Sequence, residues 1–350
     1  MVRIQIDKKQ IKPLSLNMQT HPQKPILSVN NLSIDLLKAG IYYPIIDDIH
    51  FSLYEQQTLG IVGESGCGKS VLALSLLRLL PINQVRYMAG QVWFDDQDLL
   101  QVPYSLLHQI RGGRIGFVFQ EPMTVLNPIQ RIGEQFAQAI RIHKKISKKT
   151  AFSLAAELLV EVGVDAKRLN AYPHELSGGL IQRIGIAMAL AADPSLLIAD
   201  EPTSALDMCT KLQIMELLQT LKQKRKLSLL FITHELGLAR HLCDRMIVMY
   251  AGQIVEQADA TSLWAQPLHP YTQALLATRV GLVSPIQARL NTIPGQVPAI
   301  GKWPNGCRFQ ERCCQAVEAC AQPQRIRHVQ QAAVRCHRVI DETFAKRQKE

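Results

Sequence analysis

Gly63-Glu64-Ser65-Gly66-Cys67-Gly68-Lys69-Ser70 is the stretch on which the fold of this chain turns. Its spacing, G-x-x-x-x-G-K-[ST], is that of a loop whose backbone amides surround the phosphates of a nucleotide. The flanks agree with it. Residues 58–62 (TLGIV) read as a short buried strand, and residues 71–77 (VLALSLL) as a buried helix that Pro81 stops. The glycines let the backbone curl with successive N–H groups pointing inward, and the helix that follows adds the positive end of its dipole. In that arrangement Lys69 reaches the β- and γ-phosphates and the Ser70 hydroxyl ligates Mg²⁺. A chance Gly-rich turn would not be expected to fill every required position between a strand and a helix.

Outward from the loop, 350 residues suffice for two domains, or for one large domain with an appendage. A hydrophobic content of 47% and a charged content of 19% are ordinary for a globular protein. No apolar run approaches the ~18 residues of a membrane span. Residues 1–7 (MVRIQID) lack the apolar core of a secretory signal, so the expectation is a soluble cytosolic chain. The formal net charge of +10 fits a surface that faces anionic lipid or nucleic acid, or simply a solvated face. Residues 144–149 (KKISKK) have no interleaved aromatics and no nucleic-acid motif is present, which favours the solvated face and excludes nucleic acid as an expected partner.

In chain order, residues 1–24 read as a polar N-terminal tail. Residues 26–29, 32–36 and 45–53 alternate like strands, predicting an antiparallel sheet ahead of the loop. Between them lie Tyr42 and Tyr43. A ring there is placed to stack on an adenine base or to serve as an ordinary edge aromatic. Residues 114–119 (RIGFVF) form a strand that delivers Gln120, whose amide suits a metal-bound oxygen and a γ-phosphate. Helices are expected over about 131–170. Ser177-Gly178-Gly179 then opens an apolar helix, leaving bare N–H groups at a second anion site. Two such loops far apart in one chain make sense if the second reaches the nucleotide of a facing subunit. Residues 195–200 (SLLIAD) form a buried strand ending in Asp200, placed to hold Mg²⁺, with Glu201 placed as general base. Residues 227–233 (LSLLFIT) form another, ending at His234. Three strands thus deliver Gln120, Asp200 with Glu201, and His234 at their C-terminal ends, the edge where open α/β sheets bind ligands.

Together these residues resemble the ATP-binding cassette family of transporter ATPases. The resemblance covers residues 26–265 and rests on six ordered motifs: the Walker A loop at 63–70, the Q-loop at Gln120, the signature at 176–180, Walker B at Asp200 and Glu201, the D-loop at 204–207 and the switch histidine His234. It implies an α/β P-loop, RecA-like nucleotide domain (25–265) with an antiparallel β subdomain and a helical subdomain over about 121–185. It implies ATP and Mg²⁺ as ligands, with Glu201 and His234 catalytic. Tyr43, Gly63, Glu64, Ser65, Gly66, Cys67, Gly68, Lys69, Ser70, Gln120 and Asp200 would meet this chain's own nucleotide, and Ser177, Gly178 and Gly179 that of the facing subunit. Ser70, Gln120 and Asp200 would hold the metal. The signature departs from the family in ending at Leu180 and continuing with Ile181, where Gln and a polar residue are usual, so the partner's ATP site is expected to be tuned and not abolished.

Residues 268–276 (LHPYTQALL), 293–298 (IPGQVP) and 304–313 (PNGCRFQERC) further resemble ATPases of dipeptide and oligopeptide importers. That implies a second homologous ATPase subunit, two transmembrane permease subunits, an external substrate-binding protein and a place on the cytoplasmic face of a bacterial inner membrane. Importers of nickel and of antimicrobial peptides share much of this tail, and a soluble, non-transport cassette ATPase is the remaining alternative. Residues 266–350 are expected to form a Cys-rich regulatory or structural appendage. Of eight cysteines, five lie between Cys307 and Cys336. In a cytosolic chain metal binding is favoured over disulfides. Cys307, Cys313, Cys320 and Cys336 are therefore candidates for a [4Fe–4S] cluster, with zinc as the alternative. Cys67, Cys209 and Cys243 read as incidental or packing thiols.

Overall fold

The structure, a computed structural model, describes residues 24–278 and 292–339. The expected N-terminal tail lies outside the described residues except for Lys24, which pairs with Asp96. Two long strands come first, β1 (Pro25–Lys38) and β2 (Ile41–Tyr54), paired antiparallel as their alternation predicts. Strand β3 (Thr58–Val62) enters the phosphate loop and α1 (Lys69–Leu76) leaves it. Strand β4 (Val85–Phe94) returns to pair with β1 and carries the short β5 (Gln97–Asp98), closing a four-stranded antiparallel sheet in the order β2-β1-β4-β5.

Helix α2 (Tyr104–Ile110) leads into β6 (Ile115–Val118). The helical layer follows: α3 (Pro122–Val125), α4 (Ile132–His143), α5 (Lys148–Glu161) and α6 (Gly178–Ala189). Helix α5 starts where the Ser147 hydroxyl accepts the Thr150 N–H, a side-chain cap on an otherwise orphan donor. The chain then alternates strand and helix: β7 (Leu196–Asp200), α7 (Met208–Arg225), β8 (Ser228–Thr233), α8 (Leu236–Leu242), β9 (Arg245–Tyr250) and β10 (Gln253–Asp259). Helices α9 (Ala260–Ala265) and α10 (Pro270–Ala277) and the short strands β11 (Arg327–Val329) and β12 (Ala332–Val334) complete it.

The main sheet has the order β11-β12-β10-β9-β3-β8-β7-β6. From β9 to β6 every pairing is parallel. Strands β3, β7 and β8 are buried along their whole length, which is why they read as unbroken apolar runs and not as alternation. Their period-2 geometry still divides them between two cores. Leu197, Ala199, Leu229 and Phe231 pack with the helical layer, while Leu196, Ile198, Leu230 and Ile232 pack with α1 and the antiparallel sheet.

The described C-terminal residues are not an appendage hung on this core, as expected above, but a part of it. Strand β12 extends the main sheet beyond β10, pairing Val334 with Glu256 and Ala333 with Gln257. Tyr271 and Phe309 are buried in the same cluster as Tyr250, with ring centroids 4.6 and 5.2 Å from that of Tyr250. Each large apolar side chain fully buried contributes about 1.5–3 kcal/mol. Two of them already amount to a sizeable share of the ~5–15 kcal/mol that separates folded from unfolded domains.

Candidate nucleotide site

Because β3, β6, β7 and β8 run in one direction, their C-terminal ends share one edge of the sheet. That edge receives the phosphate loop from β3, Gln120 from just beyond β6, Asp200 and Glu201 from β7 and His234 from just beyond β8. Gly63 is a glycine because the loop passes tightly over β9: a Cβ there would lie 2.3 Å from the Met249 carbonyl oxygen. The loop is braced by its own backbone. The Cys67 N–H donates to the Glu64 carbonyl at 3.3 Å, and the Cys67 carbonyl accepts the Gly252 N–H at 2.8 Å. The Cys67 side chain is buried, which raises its thiol pKa and keeps it neutral.

The side chains singled out above converge. Lys69 Nζ donates to the Gly63 carbonyl at 2.8 Å and the Glu64 carbonyl at 3.1 Å, and lies 3.7 Å from Glu201 Oε1. Ser70 Oγ donates to Asp200 Oδ1 at 3.1 Å. Glu201 Oε2 accepts from Gln120 Nε2 at 3.4 Å and lies 3.1 Å from His234 Nδ1. Burial, with the neighbouring Glu201 charge, lifts the Asp200 carboxyl to about 6 against the pull of Ser70 and Lys69. A buried carboxylate so poised, beside a serine hydroxyl, is an oxygen donor set suited to a hard divalent cation. Gln120, expected with them as a metal ligand, meets Glu201 and not this pair. Among the described residues no three His, Cys, Asp or Glu side chains converge as ligands of a single ion.

Ser177 and Gly178 are exposed at the start of α6, and the Ser177 hydroxyl makes no capping bond. Among the described residues no hydrogen bond or ion pair links Ser177, Gly178 or Gly179 to the phosphate loop. The departure at Ile181 has a packing cause: it is buried with Ile184 against the helical layer, and Leu180 packs on the same cluster.

Tyr43 is half-buried on β2 opposite Leu36. Gly301 presses on its ring so closely that a Cβ would lie 2.5 Å from Cδ1. Beside it opens a cleft of about 580 Å³ lined by Glu64, Ser65 and Gly66 of the loop, Lys38 and Ile45 of the antiparallel sheet, and Trp303. One wall of the loop's cleft is thus C-terminal. Two more C-terminal residues reach the loop itself. The Glu64 N–H donates to the Tyr271 hydroxyl at 2.9 Å, and Arg312 Nη1 and Nη2 donate to the two Glu64 carboxylate oxygens at 2.7 and 3.0 Å. Sequence reading assigned neither residue a role, because the contacts span 207 and 248 positions and no local pattern encodes them.

Cys307, Cys313, Cys320 and Cys336 line one small cavity together with His269 and Phe309, while Cys314 is exposed. Burial raises the Cys307 thiol to about 11, with Cys320, Cys336 and Cys313 adding to the effect. His269 is fully buried, and burial lowers its pKa to about 3. Its Nδ1 accepts the Tyr271 N–H at 3.0 Å, so the proton sits on Nε2, and a hydrogen bond with the Arg335 backbone partly offsets the effect of burial. Zinc, the alternative above, needs all its sulfurs about 2.3 Å from one point. Among the described residues no group of three or more His, Cys, Asp or Glu side chains is arranged to hold a metal ion, which bears equally on zinc and on the [4Fe–4S] cluster.

Comparison with known proteins matches this geometry. Residues 46–204 match the family model described as ABC transporter, and residues 255–320 that described as Oligopeptide/dipeptide transporter, C-terminal region. A probable peptide ABC transporter ATP-binding protein of Sinorhizobium fredii is 44% identical over 308 residues, covering 87% of this chain and 92% of that protein. The oligopeptide transport ATP-binding protein AppD of Bacillus subtilis is 42% identical over 315 residues, covering 89% and 96%. Among solved structures, the dimeric post-hydrolysis state of the ATP-binding cassette MJ0796, bound to ADP and Pi, superposes with a TM-score of 0.61 at 27% identity, covering 67% of this chain and 98% of that one. With the cassette and the C-terminal region both matched, the chain belongs to the ABC transporter ATPases, in the branch that carries the oligopeptide/dipeptide transporter C-terminal region.

Proposed function

We propose that this chain hydrolyses ATP to power import of dipeptides or oligopeptides, as a peripheral subunit on the cytoplasmic face of a bacterial inner membrane. The observation that carries the reading is the convergence of Lys69, Ser70, Asp200, Glu201, Gln120 and His234 on one sheet edge, in a chain whose residues 255–320 match the peptide-transporter region. The loop amides and Lys69 bind the phosphates, and Tyr43, whose ring packs on Gly301, is assigned to the base. Bound Mg²⁺, held by Ser70 and Asp200 with Gln120 nearby, would supply charge neutralisation at the phosphate oxygens. Glu201 accepts the proton of the attacking water as it moves toward the γ-phosphate, and His234, within hydrogen-bonding distance of Glu201, orients that carboxylate and the phosphate.

Ser177, Gly178 and Gly179 are assigned to the nucleotide of a second, homologous ATPase subunit, a role supported by the exposure of Ser177 and Gly178 at the start of α6. A mostly apolar groove of about 330 Å³, lined by Phe117, Phe119, Pro122, Val125, Leu126 and Met188, lies between the sheet and the helical layer. It is assigned to an apolar cytoplasmic segment of one of two membrane permeases, with Gln120 one residue beyond its rim. No described helix is long and apolar enough to cross a membrane, so the chain would rely on those partners and, through them, on an external binding protein. Cys307, Cys313, Cys320 and Cys336 would hold a [4Fe–4S] cluster, which when bound supplies a cross-link between otherwise loop-rich segments.

Isolated from the membranes of its native cell, the chain should co-purify with two hydrophobic polypeptides and a second ATPase. ATP hydrolysis by the reconstituted complex should rise with binding protein and peptide. Stimulation by nickel and not by peptide would reassign the substrate, and hydrolysis that needs nucleic acid and no membrane partner would overturn the transport reading.

A further inference from the structure

The phosphate loop carries a carboxylate, Glu64, on the wall of the cleft that Ser65 and Gly66 also line. A bare negative charge there opposes an incoming triphosphate, and the cost falls on the nucleotide's affinity. Here the charge is met by Arg312, whose forked guanidinium takes both carboxylate oxygens. The Arg312 side chain is 6% exposed against 30% for Glu64. It is held from behind as well: Nε donates to the Pro294 carbonyl at 2.7 Å and Nη1 to the Tyr250 hydroxyl at 3.3 Å, with the guanidinium 5.7 Å from the Tyr250 ring centroid. The bonds to Glu64, foremost, raise its pKa above the ordinary arginine value. A cation so restrained differs from a surface ion pair, in which two mobile side chains lose entropy to meet. The Glu64 backbone is tied separately, by Tyr271.

We propose that Arg312 is a positioning residue of the nucleotide site: by neutralising and orienting Glu64 it fits the phosphate loop to receive a triphosphate, and it makes ATP affinity a property of the C-terminal segment. The inference rests on the reading of residues 63–70 as an ATP loop. It gives the C-terminal segment a direct line to the nucleotide, since Arg312 stands next to Cys313 on the turn that lines the thiol cavity.

The test is a charge-removal cycle on the full chain, measuring Mg²⁺-ATP and Mg²⁺-ADP dissociation constants by calorimetry at low and physiological salt. Arg312→Gln should weaken ATP about tenfold, as expected for loss of a charge-assisted fork beside an anion. ADP, with less charge, should lose less, and added salt should shrink both losses. Glu64→Gln alone should bind ATP at least as tightly as the unaltered chain, and Glu64→Gln with Arg312→Gln should recover to within about twofold of it, because both charges are then gone. A merely structural arginine predicts no such recovery, so a double variant as weak as Arg312→Gln, or an Arg312→Gln chain of unaltered affinity, overturns the proposal. Should Arg312→Gln fail to fold, Glu64→Gln decides alone: weaker ATP binding sinks the idea. An unaltered chain that binds no ATP would instead remove the nucleotide reading itself.

Discussion

Glu201 stands at φ +45°, a left-handed backbone that costs a non-glycine residue about 1–3 kcal/mol unless its surroundings hold it there. They do: its N–H donates to the Ile232 carbonyl at 2.9 Å, and its carboxylate lies among Lys69, Gln120 and His234. The strain therefore fixes where the carboxylate points. As the proposed base, Glu201 predicts that Glu201→Gln, which preserves shape and removes basicity, lowers turnover at least about 100-fold while ATP affinity changes little. Single-turnover hydrolysis and nucleotide binding, measured on the assembled complex, check this. Unchanged turnover would place the chemistry in the site completed by the other ATPase subunit.

Helices α5 and α7 belong to different layers and are joined by charge. Glu161 near the end of α5 pairs with Arg225 and Lys224 at the end of α7, and Arg225 also reaches Asp193 at 2.9 Å. The Arg225 hydrogen bonds, first, and Lys224 hold the Glu161 carboxyl below its ordinary 4.5. A depressed carboxylate stabilises the fold above the unfolded-state pKa and ceases to do so as pH falls through the folded-state value. Glu161→Gln should therefore cost about 1 kcal/mol in urea unfolding at pH 7, and next to nothing once the pH lies well below 4.5. An equal cost at both pH values would mean that packing, and not charge, carries the effect. At this scale much was legible. The buried strands β3, β7 and β8 announce themselves as apolar runs ending in functional residues, and motifs within contiguous strings placed Lys69, Asp200, Glu201 and His234 on one edge. The pairing of β12 on β10 was not legible, because three-residue strands are too short to show alternation. Their position is set by remote contacts such as the Arg335 N–H to the Val255 carbonyl at 2.9 Å.

At the scale of the molecule, the C-terminal residues tie the phosphate loop, the thiol cavity and the main sheet together. The cysteines could be picked out from their clustering, but the cavity they share with His269 is made by segments that only the fold assembles. If they hold a cluster, protein purified without oxygen should carry about four irons and four acid-labile sulfides per chain. Removing the iron should lower the melting temperature, because Phe309 and Tyr271 in the main core are carried by the same segments. Protein that stays folded with no iron and an unaltered melting temperature would leave the thiols as packing groups. The order of the strands has one more consequence. A ribosome makes the phosphate loop before the segments that follow it, and domains in general fold as they emerge. Here Tyr271 and Arg312 follow Glu64 by 207 and 248 residues, and β12 comes later still. A nascent cassette therefore carries Glu64 unneutralised and the edge of β10 unpaired until those segments emerge, and only then acquires its finished nucleotide site.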